Sequence, residues 1–287
     1  MLCVGIDFTS APRKCKPITA VFAQRQSDRL LVTGLEHWVS FDALRQWLTT
    51  SVAQTWLCAI DAPLSFPYAF WEFFDWPADN WQRCAEKLSQ LSMQAFEAMV
   101  AQYSQTQAPG QKLPMRPTDR LTKSSSPVRL YRVPVGRMAF RLWPILLEST
   151  VDIRPVHTSE RPQHRTMIEG YPAMVARAFI GKTPYKSELS CPDRSPSHRR
   201  ARQMLLEAVQ QDGCQDLYGF RVDLPEAIAS TMLEDFRGDS LDAMSCCMQA
   251  AWAASREDFG IPRNIKAAKE GWIVDPQCLL LAQQTLQ

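Results

Sequence analysis

The fold is organised around residues 2–10, Leu2-Cys3-Val4-Gly5-Ile6-Asp7-Phe8-Thr9-Ser10. It is a short apolar run that ends at Asp7 and is soon followed by hydroxyl residues, and its β-branched side chains predict a buried strand. Gly5 inside the run indicates that another part of the backbone comes close. An Asp at the tip of a strand is a carboxylate held on a rigid element, which is a common way to place a metal ligand. The alternative is that Asp7 only begins a turn or caps the next element.

The rest of the chain predicts an α/β fold built around this strand. Residues 18–23 and 30–35 are expected to form the second and third strands, and the short connections make all three antiparallel neighbours. A helix is predicted from Ser40, a good N-cap residue. Apolar runs at 56–60 and 165–168 predict a fourth and a fifth strand.

Later segments add helices and one short strand. An apolar stripe predicts a long helix over about 80–103, and a second helix is expected from Asp239 to about Ala254. Residues 271–274 are predicted as a last edge strand. Because there is no internal repeat and no clear linker, we expect one domain over residues 1–287, with insertions at about 68–160 and 180–237.

Composition restricts the class of protein. The chain has 287 residues, of which 46% are hydrophobic and 22% are charged, as in an ordinary globular protein. A net charge of +2 argues against a generic polyanion binder. We expect no membrane span and no signal peptide, and the odd count of 9 cysteines, without a C-x-x-C pair, favours reduced thiols in the cytoplasm. Trp71, Trp76 and Trp81 are expected in the core or at an interface, which leaves room for a homodimer. A platform on which bases stack is the alternative role.

Acidic residues occupy corresponding places in several elements. Asp7, Asp61 and Glu169 each close an apolar run, and Asp239 and Asp242 begin a helix with a spacing that puts both on nearly one face. An acid in the first turn also interacts well with the helix dipole, which is the alternative role for the last two. Several carboxylates that converge would repel one another without a hard cation such as Mg²⁺ or Mn²⁺. Two such ions can activate water for phosphodiester hydrolysis.

Four short motifs contain these acids: Gly5-Ile6-Asp7-Phe8, Ile60-Asp61-Ala62-Pro63-Leu64, Glu169-Gly170-Tyr171-Pro172 and Asp239-Ser240-Leu241-Asp242-Ala243. Together they resemble a domain-of-unknown-function family described as predicted nucleases of the ribonuclease H-like group. The last motif also resembles the paired acids that open the final catalytic helix of RuvC-type Holliday-junction resolvases. The resemblance implies a mixed five-stranded sheet, with three antiparallel strands and then parallel strands, flanked by helices and enlarged by helical and loop insertions.

The same resemblance implies a metal-dependent nuclease that acts on DNA or RNA with Mg²⁺ or Mn²⁺. Asp7 would bridge two ions, and Asp239 and Asp242 would hold one flank of the site. The resolvases have a Glu at the end of the fourth strand, where this chain has Asp61. Glu169 ends the next strand, and the sequence leaves open which of these two acids is the ligand.

A nucleic-acid substrate needs positive charge on the protein. Residues 108–141 contain eight Lys or Arg residues against one acid, and residues 182–202 form a second basic stretch. Two further candidates for substrate contacts, Thr9 and Lys14, lie shortly after Asp7. The expected substrate contacts are Thr9, Lys14, Arg116, Arg120, Lys123 and Arg132. The alternative is that these stretches are ordinary solvated loops.

Two other functions are consistent with the sequence. Actin-like ATPases and sugar kinases share this order of strands, and residues 7–10 resemble their first phosphate loop, but the chain has no Gly-Gly pair for a second one. A non-catalytic scaffold that binds nucleic acid or protein is the other alternative, and it predicts that the acids do not converge.

Overall fold

The centre of the fold is a mixed sheet in the computed structural model, which describes residues 1–50, 54–159, 164–187, 196–262 and 269–285, with only the backbone for Asp212. In these residues the sheet has seven strands. They are β1 (Leu2–Asp7), β2 (Ile18–Gln26), β3 (Arg29–Trp38), β4 (Trp56–Asp61), β5 (Asp152–Arg154), β6 (Arg165–Glu169) and β7 (Arg221–Asp223).

The strands lie in the order β5-β6-β4-β1-β2-β3-β7. β1, β2 and β3 are antiparallel neighbours, whereas β4, β5 and β6 run parallel to β1 and β7 runs parallel to β3. The predicted α/β class and the mixed sheet are therefore confirmed. The predicted number of five strands is wrong, because β5 and β7 contain only three residues each and are too short to show a periodic pattern.

The helices surround this sheet. They are α1 (Phe41–Thr50), α2 (Tyr68–Glu72), α3 (Trp81–Ser89), α4 (Met93–Thr106), α5 (Pro117–Thr122), α6 (Val135–Leu147), α7 (Pro172–Ile180), α8 (Pro196–Gln210), α9 (Asp212–Tyr218), α10 (Glu226–Glu234), α11 (Asp239–Ala253) and α12 (Pro276–Thr285). Among the described residues, no helix has both the length and the apolar character that crossing a bilayer requires.

Two predicted elements differ from the observed ones. The single helix expected over 80–103 is divided into α3 and α4, because Ser92 starts a new helix by accepting a hydrogen bond from the amide of Ala95 at 3.1 Å. The edge strand expected at 271–274 is reduced to one parallel bridge between Ile273 and Glu169. Both segments predicted as insertions contain added helices and one of the two short strands.

Gly5 brings α11 close to the central strand. A Cβ atom at this position would lie 2.0 Å from the carbonyl oxygen of Ala243 and 2.1 Å from the amide nitrogen of Cys247. Any larger residue would therefore push the helix away from β1. Because Asp7 lies two residues further along the same face of β1, this contact brings it to the first turn of α11.

The opposite face of the sheet is covered by an aromatic core. Trp71 and Trp81 are buried there, and Trp76 stacks on Trp71 with the ring centroids 4.7 Å apart. Phe66 lies in the same cluster, 4.9 Å from the ring of Trp143. Of the three roles that the sequence left open for these tryptophans, the structure shows core packing.

Candidate metal centre

Three of the predicted acids lie together at the carboxyl end of the central strands. The parallel register of β1 and β4 places Asp7 directly opposite Asp61, so both side chains leave the same face of the sheet. Asp242 reaches them from the first turn of α11. One carboxylate oxygen from each of Asp7, Asp61 and Asp242 lies within 4.8 Å of the others. An all-oxygen set of this kind suits Mg²⁺ or Mn²⁺.

Asp242 is buried and fully engaged with two neighbours. The hydroxyl of Tyr185 donates a hydrogen bond to its Oδ1 at 2.5 Å, and Nζ of Lys186 forms an ion pair with its Oδ2. The side chain of Lys186 is 40% exposed, so this ammonium group lies at the mouth of the centre. Sequence reasoning placed Lys186 only within a basic stretch, and no local pattern connects it with an acid 56 residues later.

Asp239 lies at the edge of the centre, beyond the group of three. It does not cap α11, because the N-cap is Gly238, and Asp235 instead accepts hydrogen bonds from the amide and hydroxyl of Ser240 at 2.8 and 2.7 Å. Burial raises the pKa of Asp239, and the charge of Asp235 raises it further. Asp239 in turn raises the pKa of Asp7, so these two carboxylates are close enough to repel each other.

The electrostatics of the centre favour a bound cation. Burial raises the pKa of Asp7 well above its ordinary value, and the charges of Asp239 and Asp61 add to the effect while Lys186 opposes it. Burial also raises the pKa of Asp61, to about 6, again against the influence of Lys186. One lysine therefore does not offset the crowding of these carboxylates. A divalent cation would remove the repulsion and restore the ionised forms.

Thr19 provides a separate indication of a ligand. It pairs with Asp7 across β1 and β2, so the two side chains share one face, and it is completely buried. Among the described residues its Oγ1 has no hydrogen-bond partner. A buried hydroxyl without a partner is costly, and a water or substrate oxygen at the acidic cluster would satisfy it.

Glu169 is not part of the cluster. The register of β4 and β6 sets it opposite Ile60, one residue short of Asp61, so its side chain points to the other face of the sheet. There its two oxygens accept hydrogen bonds from Nη2 and Nη1 of Arg116 at 2.6 and 2.7 Å, and the amide of Leu64 donates at 2.9 Å. Of the two acids between which the sequence did not decide, the structure brings Asp61 to the other carboxylates.

Arg116, an expected substrate contact, is buried and paired with acids. Its side chain is only 1% exposed, and besides Glu169 it binds both carboxylate oxygens of Asp119, at 2.7 and 3.0 Å. Ser65 receives a further hydrogen bond from it at 2.7 Å. The expected substrate contact of Arg116 stays a prediction, and the structure shows its guanidinium held by two carboxylates and a serine hydroxyl.

The other expected substrate contacts differ in exposure. Thr9 is buried, and its Oγ1 accepts a hydrogen bond from the amide of Ala11 at 3.5 Å, within the turn that follows β1. The remaining four are exposed basic residues: Lys14, Arg120, Lys123 and Arg132. Lys14 lies in a tight turn that is closed by a bridge between Arg13 and Lys16.

A cleft of about 220 Å³ opens beside the acids. Asp61 and Lys186 line it and also belong to the centre, while Glu169 and Arg116 lie along its inner wall. The other lining residues come from the loop after α5, from the beginnings of α6 and α7, and from residues near Pro63 and Ile273. A ligand in this cleft would therefore lie next to the carboxylates.

Comparison with protein-family models, with curated proteins and with solved structures finds no match for the chain. The resemblance to ribonuclease H-like nucleases, which comes from four short motifs, thus stays a prediction.

Proposed function

We propose that this protein is a metal-dependent nuclease with a ribonuclease H-like fold that hydrolyses phosphodiester bonds in DNA or RNA. The observation that supports it is the convergence of Asp7, Asp61 and Asp242, which are distant in the sequence. The order β6-β4-β1-β2-β3, with three antiparallel strands followed by parallel ones, agrees with the architecture that the resemblance implies.

Asp7, Asp61 and Asp242 would hold the cation, and Asp239 would complete one flank, as in the two-metal arrangement that the resemblance implies. The bound ion supplies an activated water and stabilises charge on the phosphate and the leaving oxygen. Asp7 lies in the middle strand, opposite Asp61, and would be the central ligand of the metal site. Lys186 would add positive charge where the phosphate becomes more negative.

The direct test combines metal binding with cleavage. We expect titration calorimetry to detect Mn²⁺ binding to the wild-type protein. We also expect cleavage of at least one member of a panel of labelled DNA and RNA strands, duplexes, flaps and junctions that stops on addition of EDTA. Metal binding without cleavage of any member of the panel would contradict the nuclease. Nucleic-acid binding without need of a metal would favour a scaffold, and ATP turnover would favour the actin-like alternative.

Lys186→Met is expected to strengthen Mn²⁺ binding about tenfold while lowering cleavage, because the ammonium group competes with a cation for Asp242. Calorimetry on the wild type and the variant measures the first effect. Lys182→Met is the matched control, since Lys182 is exposed in the same segment. Unchanged Mn²⁺ affinity in Lys186→Met would show that Lys186 lies too far from the bound ion to compete with it.

A further inference from the structure

The cleft beside the centre is small and already formed. Its volume of about 220 Å³ is below the roughly 300–1,000 Å³ of pockets for drug-sized ligands. It is therefore too small for a base pair or for several nucleotides, and its size suits one base with its sugar. Because Asp61 and Lys186 line it, such a unit would be adjacent to the phosphate at the metal centre.

The walls of the cleft are mainly apolar. The apolar residues are Ala62, Pro63, Val133, Val135, Met138, Pro172, Ala173 and Ile273, and the hydroxyl residues are Ser124, Ser125 and Tyr171. The two acids of the inner wall are occupied, because Arg116 binds both Glu169 and Asp119. An apolar slot with a few hydroxyl groups suits a planar, uncharged ring with polar edges, as in a nucleobase.

Three exposed cations are neighbours in the sequence of residues at the rim of the cleft. Arg120, Lys123 and Arg132 are exposed, and each is adjacent in the sequence to a lining residue, namely Asp119, Ser124 or Val133. These are three of the cations that the sequence indicated as substrate contacts. Phosphates on either side of a base in the cleft would lie near them.

The same rim exposes apolar surface. Tyr131 is 58% exposed and Val133 is 50% exposed, on both sides of Arg132. The guanidinium of Arg129 lies over the ring of Tyr131, 5.1 Å from its centroid, and holds the ring at the surface. An exposed tyrosine between cations is typical of surfaces on which unpaired bases stack.

We propose that the cleft receives one unpaired nucleoside of the substrate, so that the enzyme acts on single-stranded nucleic acid and not within a continuous duplex. This inference rests on the proposed nuclease function, because it places the scissile phosphate at Asp7 and Asp61. Within a duplex the base would have to unpair and leave the stack before it could enter the cleft. This step costs free energy, and a base in a single strand is already unpaired.

Ala173→Trp tests the proposal by filling the cleft from the first turn of α7. We expect kcat/KM for a single-stranded oligonucleotide to fall about tenfold or more, with Mn²⁺ affinity unchanged. Wild-type protein is expected to cleave the single strand faster than a duplex of the same sequence. Ala227→Trp, at an exposed alanine of α10, is the matched control and should behave as wild type.

A binding measurement separates this inference from the nuclease proposal. In an Asp7→Asn background, fluorescence anisotropy of a short labelled single strand should show about tenfold weaker binding when Ala173→Trp is added. Weaker binding of the single strand, together with no cleavage by the wild type, would support nucleoside binding in the cleft. It would reject the nuclease function. If the wild type and Ala173→Trp cleaved at equal rates, or if the wild type preferred a duplex, nucleoside binding in the cleft would be rejected. The proposed nuclease function would not be affected.

Discussion

Asp7→Asn is expected to abolish metal-dependent cleavage, lowering kcat/KM by about 10³-fold or more, because a bound cation supplies several kcal/mol of transition-state stabilisation. Asn has nearly the shape of Asp but lacks the charge that faces Asp61 and Asp242. Cleavage of the best substrate of the panel and Mn²⁺ binding by calorimetry measure the two effects together.

The stability of Asp7→Asn distinguishes the loss of a metal-binding carboxylate from unfolding of the protein. Burial and neighbouring acids raise the pKa of Asp7, so the ionised form is unfavourable in the metal-free protein. Asp7→Asn should therefore unfold at a temperature no lower than that of the wild type when EDTA is present. Asp42→Asn, at an exposed acid of α1, is the control and should leave cleavage and metal binding unchanged. Full activity of Asp7→Asn would be incompatible with a catalytic cluster at this edge of the sheet.

Arg116→Met is expected to destabilise the fold by about 3–5 kcal/mol, which is typical of breaking a buried ion pair. The substitution leaves Glu169 and Asp119 buried without their shared counter-charge. Urea unfolding at pH 7 measures the loss. Arg120→Met is the matched control, because Arg120 lies in α5, the helix that Arg116 directly precedes, but is exposed and should change stability by less than about 0.5 kcal/mol.

The pH dependence of the stability of Arg116→Met tests whether the unpaired charge of Glu169 causes the loss. Burial already raises the pKa of Glu169, and the charge of Arg116 opposes that rise in the wild type. Without Arg116 the pKa of Glu169 rises further. The variant therefore loses stability as the pH increases, because the buried carboxyl group of Glu169 then has to ionise. The difference from the wild type should thus shrink as pH is lowered towards 4. A difference that stays constant with pH would mean that packing, and not charge, is responsible.

The elements at the centre of the fold could be predicted because their patterns are local. The apolar runs that end at Asp7 and Asp61 and the helix that begins at Asp239 have the boundaries expected within a residue or two. The short strands β5 and β7 could not be found, since three residues show no periodicity and pair only because longer neighbours are already in place.

Which residues belong to the metal centre depends on contacts between distant segments, and local sequence patterns do not show these contacts. Whether Asp61 or Glu169 joins Asp7 is decided by a one-residue difference in strand register, which reverses the face of the side chain. Lys186 reaches Asp242 only after α7 and α11 have packed. The sequence shows the charge of Arg116, whereas its burial depends on pairing with Asp119 three residues later and with the distant Glu169.

The shortness of β5 and β7 has a consequence for self-association. They form the two outer edges of the sheet, and each offers only three residues for pairing with another chain. Beyond β5 the chain continues with Pro155, which has no amide hydrogen to donate. Neither border of the sheet is thus a good template for extending it from molecule to molecule, which should protect the protein from fibre-like aggregation at high concentration.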